Sequence, residues 1–484
     1  MKRRGSVLPA MVIVAVVLAL NTQSGAMSSP ASPEKAGAPG IESVMYVFKS
    51  LSNQPASVRL PSDNPRPQPV WSVSHDDALN DIDLLFETLR HGYAGYELAG
   101  GDEAFAAARA RAIGGLNRRG AQLETWEFTQ ALREALSHVQ DSHLSIDGIP
   151  LCTHYAFCYD PFHEFVRTSE GEYRDSAGRV LMRVDGRDPG SRLLRSVSSS
   201  GLIVYVIGAL SSEKHQNSVV ELEFAGGDHE MAWLVPAMPL APAGDIYSLS
   251  RMDGVPVVAV RSFGTDRDVS RAMTRFLADA ASLRREPAII LDLRSNPGGS
   301  DSYGKEWLRL LVGSPVRAEL AIAQLVTDTA VSLLMNAAGM AGDGNDSVSG
   351  LAAVASQAKR LADPARPGWA RIERERATAP ADSPWIVAIV DWHTASASES
   401  LIRRLRSLPK TIVMGSNTRG ALLSGNAGLL VLPSSGVEVR VPTMMWLGPD
   451  LANNDGVGFS PDYWVHPDQA VSRAIAFINT ELLP

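Results

Sequence analysis

The feature that most constrains this chain is a short apolar run that leads through a turn into an amphipathic helix. Residues 385–390 are continuously apolar and long enough for a buried strand. After a turn of small residues, Leu401 and Leu405 recur at helical spacing. A hydroxyl at the start of such a helix lies where free N–H groups and the helix dipole favour developing negative charge. The pattern therefore makes Ser396 and Ser398 candidate nucleophiles, although both are also good N-cap residues.

A second buried-strand pattern lies earlier in the chain, at residues 288–291. It leads into Asp-Leu-Arg-Ser-Asn-Pro-Gly-Gly at residues 292–299. Two glycines after a proline let the main chain turn sharply and present bare N–H groups, as an oxyanion site requires. An ordinary Gly-Gly turn is the alternative interpretation. Because strand and helix patterns alternate from residue 244 onward, this half of the chain is predicted to be an α/β domain.

Three motifs together resemble those of a known family. The first is Asp-Leu-Arg-Ser-Asn-Pro-Gly-Gly at residues 292–299, the second is Thr-Ala-Ser-Ala-Ser-Glu at residues 394–399, and the third is Gly-Ser-Asn-Thr-Arg-Gly at residues 415–420. In this order they resemble the tail-specific (C-terminal-processing) and tricorn-core serine peptidases. The resemblance implies a crotonase/ClpP-like α/β core and a polypeptide or peptide substrate, with no metal and no cofactor. The family's nucleophile is the first serine of the second motif, which is Ser396 here.

The two branches of this family use different bases. The tail-specific branch has a lysine directly after Thr-x-Gly of the third motif, where this chain has Ala421, so a Ser-Lys dyad is excluded at that position. The tricorn-like branch uses a serine, a histidine, a second serine and an acid. By resemblance these are Ser396, His143, Ser142 and Asp455, and Asp455 is one methylene shorter than the family's glutamate. The corresponding oxyanion donors are the main-chain N–H groups of Ala397 and of Gly298 or Gly299.

Length and composition predict a multidomain α/β protein. A chain of 484 residues is too long to fold around a single hydrophobic core. Its content of 45% hydrophobic and 20% charged residues is typical of globular proteins. Apolar spacing predicts a helical domain over residues 75–150, which carries His143, and a β-rich domain over residues 151–240. The family often has a PDZ domain at that place, so a degenerate PDZ-like domain and a plain β module are both possible interpretations. Residues 241–484 form the predicted catalytic domain, with an insertion near residues 326–361.

The N-terminal end predicts export. Residues 2–4 are basic, residues 7–20 are apolar and small residues follow, which is the layout of a secretory signal peptide over residues 1–26. An uncleaved anchor is the alternative, although the run is short for a membrane span. Residues 27–74 are predicted to be a mobile lead-in. The mature chain is therefore expected in the periplasm or outside the cell, and its net charge of -8 gives no sign of nucleic-acid binding.

Other features leave alternatives open. In an exported protein, Cys152 and Cys158 are predicted to form a small-loop disulfide, with free thiols as the second possibility and a metal site as the third. Residues 444–447, Met-Met-Trp-Leu, are interpreted either as pocket lining or as ordinary core. Two alternatives to a peptidase also remain: a ligand- or peptide-binding protein on the same scaffold, and a hydrolase acting on small molecules.

Overall fold

The computed structural model describes residues 70–118, 121–212, 218–240, 244–340, 353–356, 369–380, 382–448 and 452–483. The predicted signal peptide, most of the predicted lead-in and a large part of the predicted insertion lie outside these ranges. Among the described residues, no helix combines the length and the apolar character that crossing a bilayer requires.

The N-terminal part of the described chain is mainly helical. It contains helices α1 (His75–Gly92), α2 (Gly101–Asn117) and α3 (Thr125–Ala135), and the short strands β1 (Ser72–Ser74), β2 (Gln122–Glu124), β3 (Asp141–Ile146) and β4 (Ile149–Leu151). Helix α1 begins where the Ser74 side chain accepts a hydrogen bond from the Asp77 N–H, which is an N-cap. The buried residues Ile82, Leu85 and Leu89 lie on one face of α1, and they belong to a cluster that also includes residues of α2 and α3.

The middle of the chain is a seven-stranded antiparallel sheet. Its strands are β5 (Tyr155–Arg167), β6 (Tyr173–Arg174), β7 (Val180–Val184), β8 (Leu193–Val197), β9 (Ile203–Ser212), β10 (Ser218–Phe224) and β11 (His229–Pro236). Strand β11 pairs with both β10 and β5, so β5, β6, β7, β10 and β11 close into a ring. Phe165, Leu222 and Phe224 are buried in its core. Besides strands, the described residues here contain one 3₁₀ turn, at Pro189–Ser191, and the PDZ-like interpretation stays a prediction.

From residue 244 onward, strands and helices alternate. The strands are β12 (Tyr247–Met252), β13 (Val255–Val260), β14 (Ala288–Asp292), β15 (Leu320–Leu325), β16 (Trp369–Glu375), β17 (Trp385–Val390), β18 (Thr411–Gly415), β19 (Ser424–Val431), β20 (Glu438–Leu447) and β21 (Tyr463–Trp464). The helices are α4 (Arg267–Ala280), α5 (Asp301–Val312), α6 (Asp328–Met340), α7 (Ala397–Leu405) and α8 (Pro467–Phe477). The predicted multidomain α/β fold is confirmed.

One six-stranded sheet forms the centre of this part of the chain, in the order β12-β13-β14-β17-β18-β21. Strand β12 is antiparallel to β13, and the other neighbouring pairs are parallel. Strands β14 and β17 carry apolar residues on both faces, because α4, α5 and α7 cover one face and α8 covers the other. The carboxyl ends of these two parallel neighbours open at the same edge of the sheet, where ligands bind in open α/β sheets.

A second sheet brings a strand from the N-terminal part of the chain to residues 241–484, the predicted catalytic half. Strand β20 pairs with β19, with β15 and with β3. The β3 pairing is short: Ile146 lies opposite Val439, and Ser145 lies opposite Arg440. His143 therefore enters the catalytic half on a strand that is hydrogen-bonded to β20.

Helix α6 packs between the N-terminal helices and the second sheet. Leu333 of α6 is buried in the same hydrophobic cluster as Ile82 of α1 and Val439 of β20. Gly428 of β19 faces this helix so closely that a Cβ placed there would lie 2.4 Å from the Leu333 Cβ. The N-terminal helices and the catalytic half thus share one hydrophobic core.

This packing predicts opposite effects for two glycine substitutions. Gly428→Ala is expected to destabilise the chain by about 1–3 kcal/mol, because helix α6 has to move away from β19. Gly339→Ala, on α6 itself, places a Cβ where no atom lies within 4 Å, and it is expected to leave stability unchanged or raise it by up to about 1 kcal/mol through helix propensity. Thermal unfolding of both variants measures this, and equal melting temperatures would contradict the shared core.

Candidate active site

The predicted nucleophile lies on a strained turn between a strand and a helix. Strand β17 ends at Val390, helix α7 begins at Ala397, and Ser396 precedes the helix with φ 52° and ψ -112°. A positive φ is uncommon for a residue with a side chain, and such strain is found where function demands it. A serine on a sharp strand-to-helix turn exposes its Oγ at the edge of an α/β sheet, as in the nucleophile elbow.

The buried carboxylate of Glu399 holds this turn in place. It accepts hydrogen bonds from the Ser396 N–H at 2.8 Å, the Thr418 hydroxyl at 2.5 Å, and the N–H groups of Gly420 and Ala421, both at 2.9 Å. Burial raises the pKa of Glu399, and these four donors oppose that rise. The second and third sequence motifs are therefore joined through a single side chain.

His143 lies opposite the nucleophile. Its Nε2 is 3.3 Å from the Ser396 Oγ, although the two residues are 253 positions apart in the chain. Burial lowers the pKa of His143, and the Asp141 carboxylate opposes this effect. A lowered pKa keeps the imidazole neutral near pH 7, which is the form that accepts a proton. The Nδ1 atom is buried and has no hydrogen-bond partner among the described residues.

Asp141 lies at the candidate site, although the sequence predicted no role for it. Its carboxylate accepts hydrogen bonds from the main-chain N–H of His143 at 2.9 Å, the Tyr93 hydroxyl at 2.9 Å and the Ser424 hydroxyl at 2.6 Å. It therefore fixes the main chain at His143 and is a negative charge next to the imidazole. The signal in the sequence was an acidic residue immediately before the Ser142-His143 pair.

Asp455, the acid that the resemblance implies, lies next to the segment that carries His143. Its carboxylate accepts hydrogen bonds from the main-chain N–H groups of Ser142 at 2.8 Å, Leu422 at 2.8 Å and Leu423 at 2.9 Å. Burial and the nearby Asp141 carboxylate raise the pKa of Asp455 to about 8. Because the Asp455 carboxylate is hydrogen-bonded to these three N–H groups, it binds neither the His143 imidazole nor the Ser142 hydroxyl within the described structure.

The Ser142 hydroxyl binds the loop of the third motif. It donates a hydrogen bond to the main-chain oxygen of Gly420 at 2.5 Å. Ser142 is thus bonded through its N–H to Asp455 and through its hydroxyl to the loop that Glu399 binds. These contacts position the strand that carries His143.

Asn296 joins the glycine loop to the nucleophile turn. Its main-chain oxygen accepts hydrogen bonds from the Ala395 N–H at 3.0 Å and from the Ser398 hydroxyl at 3.2 Å. Its side-chain Oδ1 accepts the Gly298 N–H at 3.0 Å. The carboxyl ends of β14 and β17 are therefore held together at the edge where Ser396 lies.

The glycine loop lies so close to the first N–H of helix α7 that it has no room for a side chain at Gly298. A Cβ at Gly298 would lie 2.8 Å from the Ala397 nitrogen and 2.9 Å from the Ser396 Cβ. The Gly298 N–H is already bonded to Asn296, so the Gly299 N–H is the remaining candidate donor from this loop. Together with Ala397, Gly299 is the better supported of the two predicted glycines.

Cys152 and Cys158 are not joined by a disulfide bond, which contradicts the prediction. Cys158 lies on β5 with its side chain in the core of the ring of strands. Cys152 lies close to the acid loop, since a Cβ at Gly456 would be 2.8 Å from its Sγ. The side chains therefore belong to different parts of the structure. Burial raises the pKa of Cys152 to about 12 and that of Cys158 to about 11.

Residues 444–447 are interpreted either as pocket lining or as core, and each interpretation fits two of the four residues. Side chains at the end of strand β20 point alternately to its two faces, so Met445 and Leu447 are buried in a hydrophobic cluster. Met444 and Trp446 are half-exposed on the opposite face. Of the predicted insertion, helix α6 is described and packs in the core, while residues 341–352 lie outside the described part of the chain.

The sequence of the catalytic half decides the family. Residues 254–465 match the sequence profile of peptidase family S41. This part of the chain has the sequence of a serine peptidase of family S41. Its nucleophile turn, glycine loop and third motif all lie within the matched residues, whereas His143 lies outside them. No curated protein matches the chain at a significant level.

Several solved structures are similar to this S41 peptidase. Mature CPAF complexed with lactacystin is 15% identical, with 84% of this chain and 99% of that chain covered and a TM-score of 0.47. The photosystem II D1 C-terminal processing protease is 15% identical, with 84% and 98% covered and a TM-score of 0.37. The tricorn protease is 13% identical, with 85% of this chain and 37% of that chain covered and a TM-score of 0.37. The family assignment rests on the sequence match.

The position of Asp141 predicts a pH effect on the peptidase. Since the Asp141 carboxylate raises the pKa of His143, Asp141→Asn is expected to lower that pKa further. The acid limb of the profile of kcat/KM against pH should then move to lower pH, while the maximal rate falls because the His143 main chain is less well held.

A matched control is Asp279→Asn, which removes a remote carboxylate that also binds a tyrosine hydroxyl, at 2.6 Å from Tyr247. Its acid limb should coincide with that of the unsubstituted chain. An acid limb in Asp141→Asn that stays in place or moves to higher pH would contradict the assigned role of Asp141.

Proposed function

We propose that the chain is an exported endopeptidase that cleaves extended or unfolded polypeptides with Ser396 as nucleophile and His143 as base. The observation that carries the proposal is the 3.3 Å distance between the Ser396 Oγ and the His143 Nε2. Hydrogen-bond reach between a hydroxyl and an imidazole is the geometry that activates a serine. The family match and the neutral imidazole support the same mechanism.

The first half of the reaction follows from the placement of these atoms. His143 Nε2 takes the proton from the Ser396 hydroxyl as the Oγ attacks the carbonyl carbon of the substrate. The carbonyl oxygen becomes an oxyanion and is stabilised by the N–H groups of Ala397 and Gly299, the former lying at a helix N-terminus. The imidazolium then gives its proton to the leaving amine, and an ester between Ser396 and the acyl part of the substrate remains.

In the second half, water replaces the leaving amine. His143 takes a proton from the water, the resulting hydroxide attacks the ester carbon, and the proton returns to the Ser396 oxygen. During both halves the imidazolium is stabilised by the Asp141 carboxylate, which lies close enough to raise the pKa of His143. Asp455 contributes by positioning the main chain at Ser142.

Export remains part of the proposal and rests on the sequence of residues 1–26, which has the layout of a signal peptide. Fusing residues 1–40 to a reporter that is active only outside the cytoplasm tests it. Reporter activity that depends on the apolar run at residues 7–20 is expected, and an inactive reporter would contradict export.

The mechanism predicts the behaviour of three variants incubated with unfolded casein and with a mixed peptide library. Ser396→Ala and His143→Ala are each expected to lower cleavage by at least about 10³-fold, because serine and histidine act as one unit. Asp455→Glu should lower cleavage, because a longer buried side chain displaces the three N–H groups that Asp455 binds and so shifts the main chain at Ser142. New peptide termini are identified by mass spectrometry.

The matched control is Ser400→Ala, which removes a half-exposed hydroxyl from the same helix and should cleave normally. Cleavage that survives in Ser396→Ala would contradict the nucleophile assignment. Absence of cleavage by every form, including the unsubstituted chain, would contradict the endopeptidase proposal and favour ligand binding on the same scaffold.

A further inference from the structure

Arg419 is a fixed cation beside the nucleophile turn that the proposed mechanism does not use. It lies in the third motif, immediately before Gly420, and its side chain is half-buried. The guanidinium carbon is 5.5 Å from the centre of the Trp392 ring. An arginine on the face of a tryptophan is held by a cation–π interaction, and its N–H groups along the edge remain available.

The Arg419 guanidinium has no acidic partner in the described part of the chain. Two other buried or half-buried arginines of the catalytic half are paired with an acid: Arg294 with Asp292, and Arg404 with Glu375. Arg419 forms neither an ion pair nor a side-chain hydrogen bond with a described residue. The Glu399 carboxylate, which binds the Ser396 N–H, does not pair with Arg419, since it accepts hydrogen bonds from four other donors.

The main chain places Arg419 close to the reacting atoms. Its N–H donates to the Thr394 oxygen at 2.9 Å, two residues before Ser396. The positive charge of Arg419 also lowers the pKa of the Cys152 thiol against the effect of burial, and that thiol interacts with Ser142. The main chain at Arg419 is therefore hydrogen-bonded to the nucleophile turn.

The distance from the nucleophile is within the reach of a bound peptide. The Cα atoms of Trp392 and Ser396 are four positions apart in the chain and are therefore separated by at most about 14 Å. A substrate in β conformation advances about 3.3 Å per residue and so covers that distance in about four residues. A group on the substrate a few residues from the cleaved bond can thus reach the guanidinium.

We propose that Arg419, held by Trp392, binds a carboxylate of the substrate within about four residues of the scissile bond. This deepens the proposed peptidase function and rests on it. The planar guanidinium fork matches a carboxylate, whether that group is an Asp or Glu side chain or the C-terminal carboxylate of the peptide. Arg419 is then a specificity residue that selects acidic segments or chain ends, and Trp392 positions it.

The test uses synthetic peptide libraries made with or without Asp and Glu, and with a free or an amidated C terminus. The full chain, Arg419→Met and Arg275→Met are compared for cleavage, with cleavage sites read by mass spectrometry. Arg275 is the matched control, because its guanidinium lies 5.8 Å from the ring of Tyr247, remote from Ser396 in the sequence. The unsubstituted chain and Arg275→Met should prefer one kind of carboxylate by at least about tenfold, and Arg419→Met should lose that preference.

If Arg419→Met loses the preference for Asp and Glu, the group that Arg419 binds is a side-chain carboxylate. If Arg419→Met instead becomes insensitive to amidation of the peptide, that group is the C-terminal carboxylate. The same libraries are captured on Ser396→Ala chains, with and without Arg419→Met, so that binding is measured without cleavage. If the unsubstituted chain cleaves nothing, the proposed peptidase function fails, and this capture still decides the role of Arg419. An equal preference with and without Arg419→Met, or no preference for any carboxylate in either assay, would overturn the inference.

Discussion

The Glu399 carboxylate accepts hydrogen bonds from four donors, and the geometry of the candidate site depends on that arrangement. A buried carboxylate is costly unless its oxygens are hydrogen-bonded, so the nucleophile turn and the loop at residues 418–421 are stable only together. The same bonds hold Ser396 in a left-handed backbone conformation that a residue with a side chain otherwise avoids. Local strain at the nucleophile is thus offset by contacts made elsewhere.

On the histidine side, Asp455 and Asp141 have the corresponding role. Asp455 binds the N–H groups of Ser142, Leu422 and Leu423, and Asp141 binds the N–H of His143 together with two hydroxyls. Buried carboxylates therefore tie segments from opposite ends of the chain to one loop. Burial keeps the imidazole neutral, and the negative charge of Asp141 favours the imidazolium once a proton arrives. A base that is neutral at rest and stabilised when charged suits general base catalysis.

Local patterns in the sequence were sufficient for the central part of this fold. Apolar runs and helical spacing predicted β14, β17 and α7, and parallel neighbouring strands necessarily bring their following loops to one edge. His143 could be found only through the family resemblance, because the pairing of β3 with β20 is a tertiary contact without a local signal. The disulfide prediction failed for a similar reason. The spacing of Cys152 and Cys158 suits a small loop, but strand β5 turns one thiol into the ring and away from the other.

The most direct test of the account is whether His143 activates Ser396 toward an electrophile. The full chain is treated with a fluorophosphonate, which reacts with activated serines, and the modified residue is located by peptide mapping. The account predicts a single adduct at Ser396 and little or no adduct in His143→Ala under the same conditions. An adduct at another serine, or equal labelling of Ser396 with and without His143, would contradict the central claim that these two side chains form the catalytic pair.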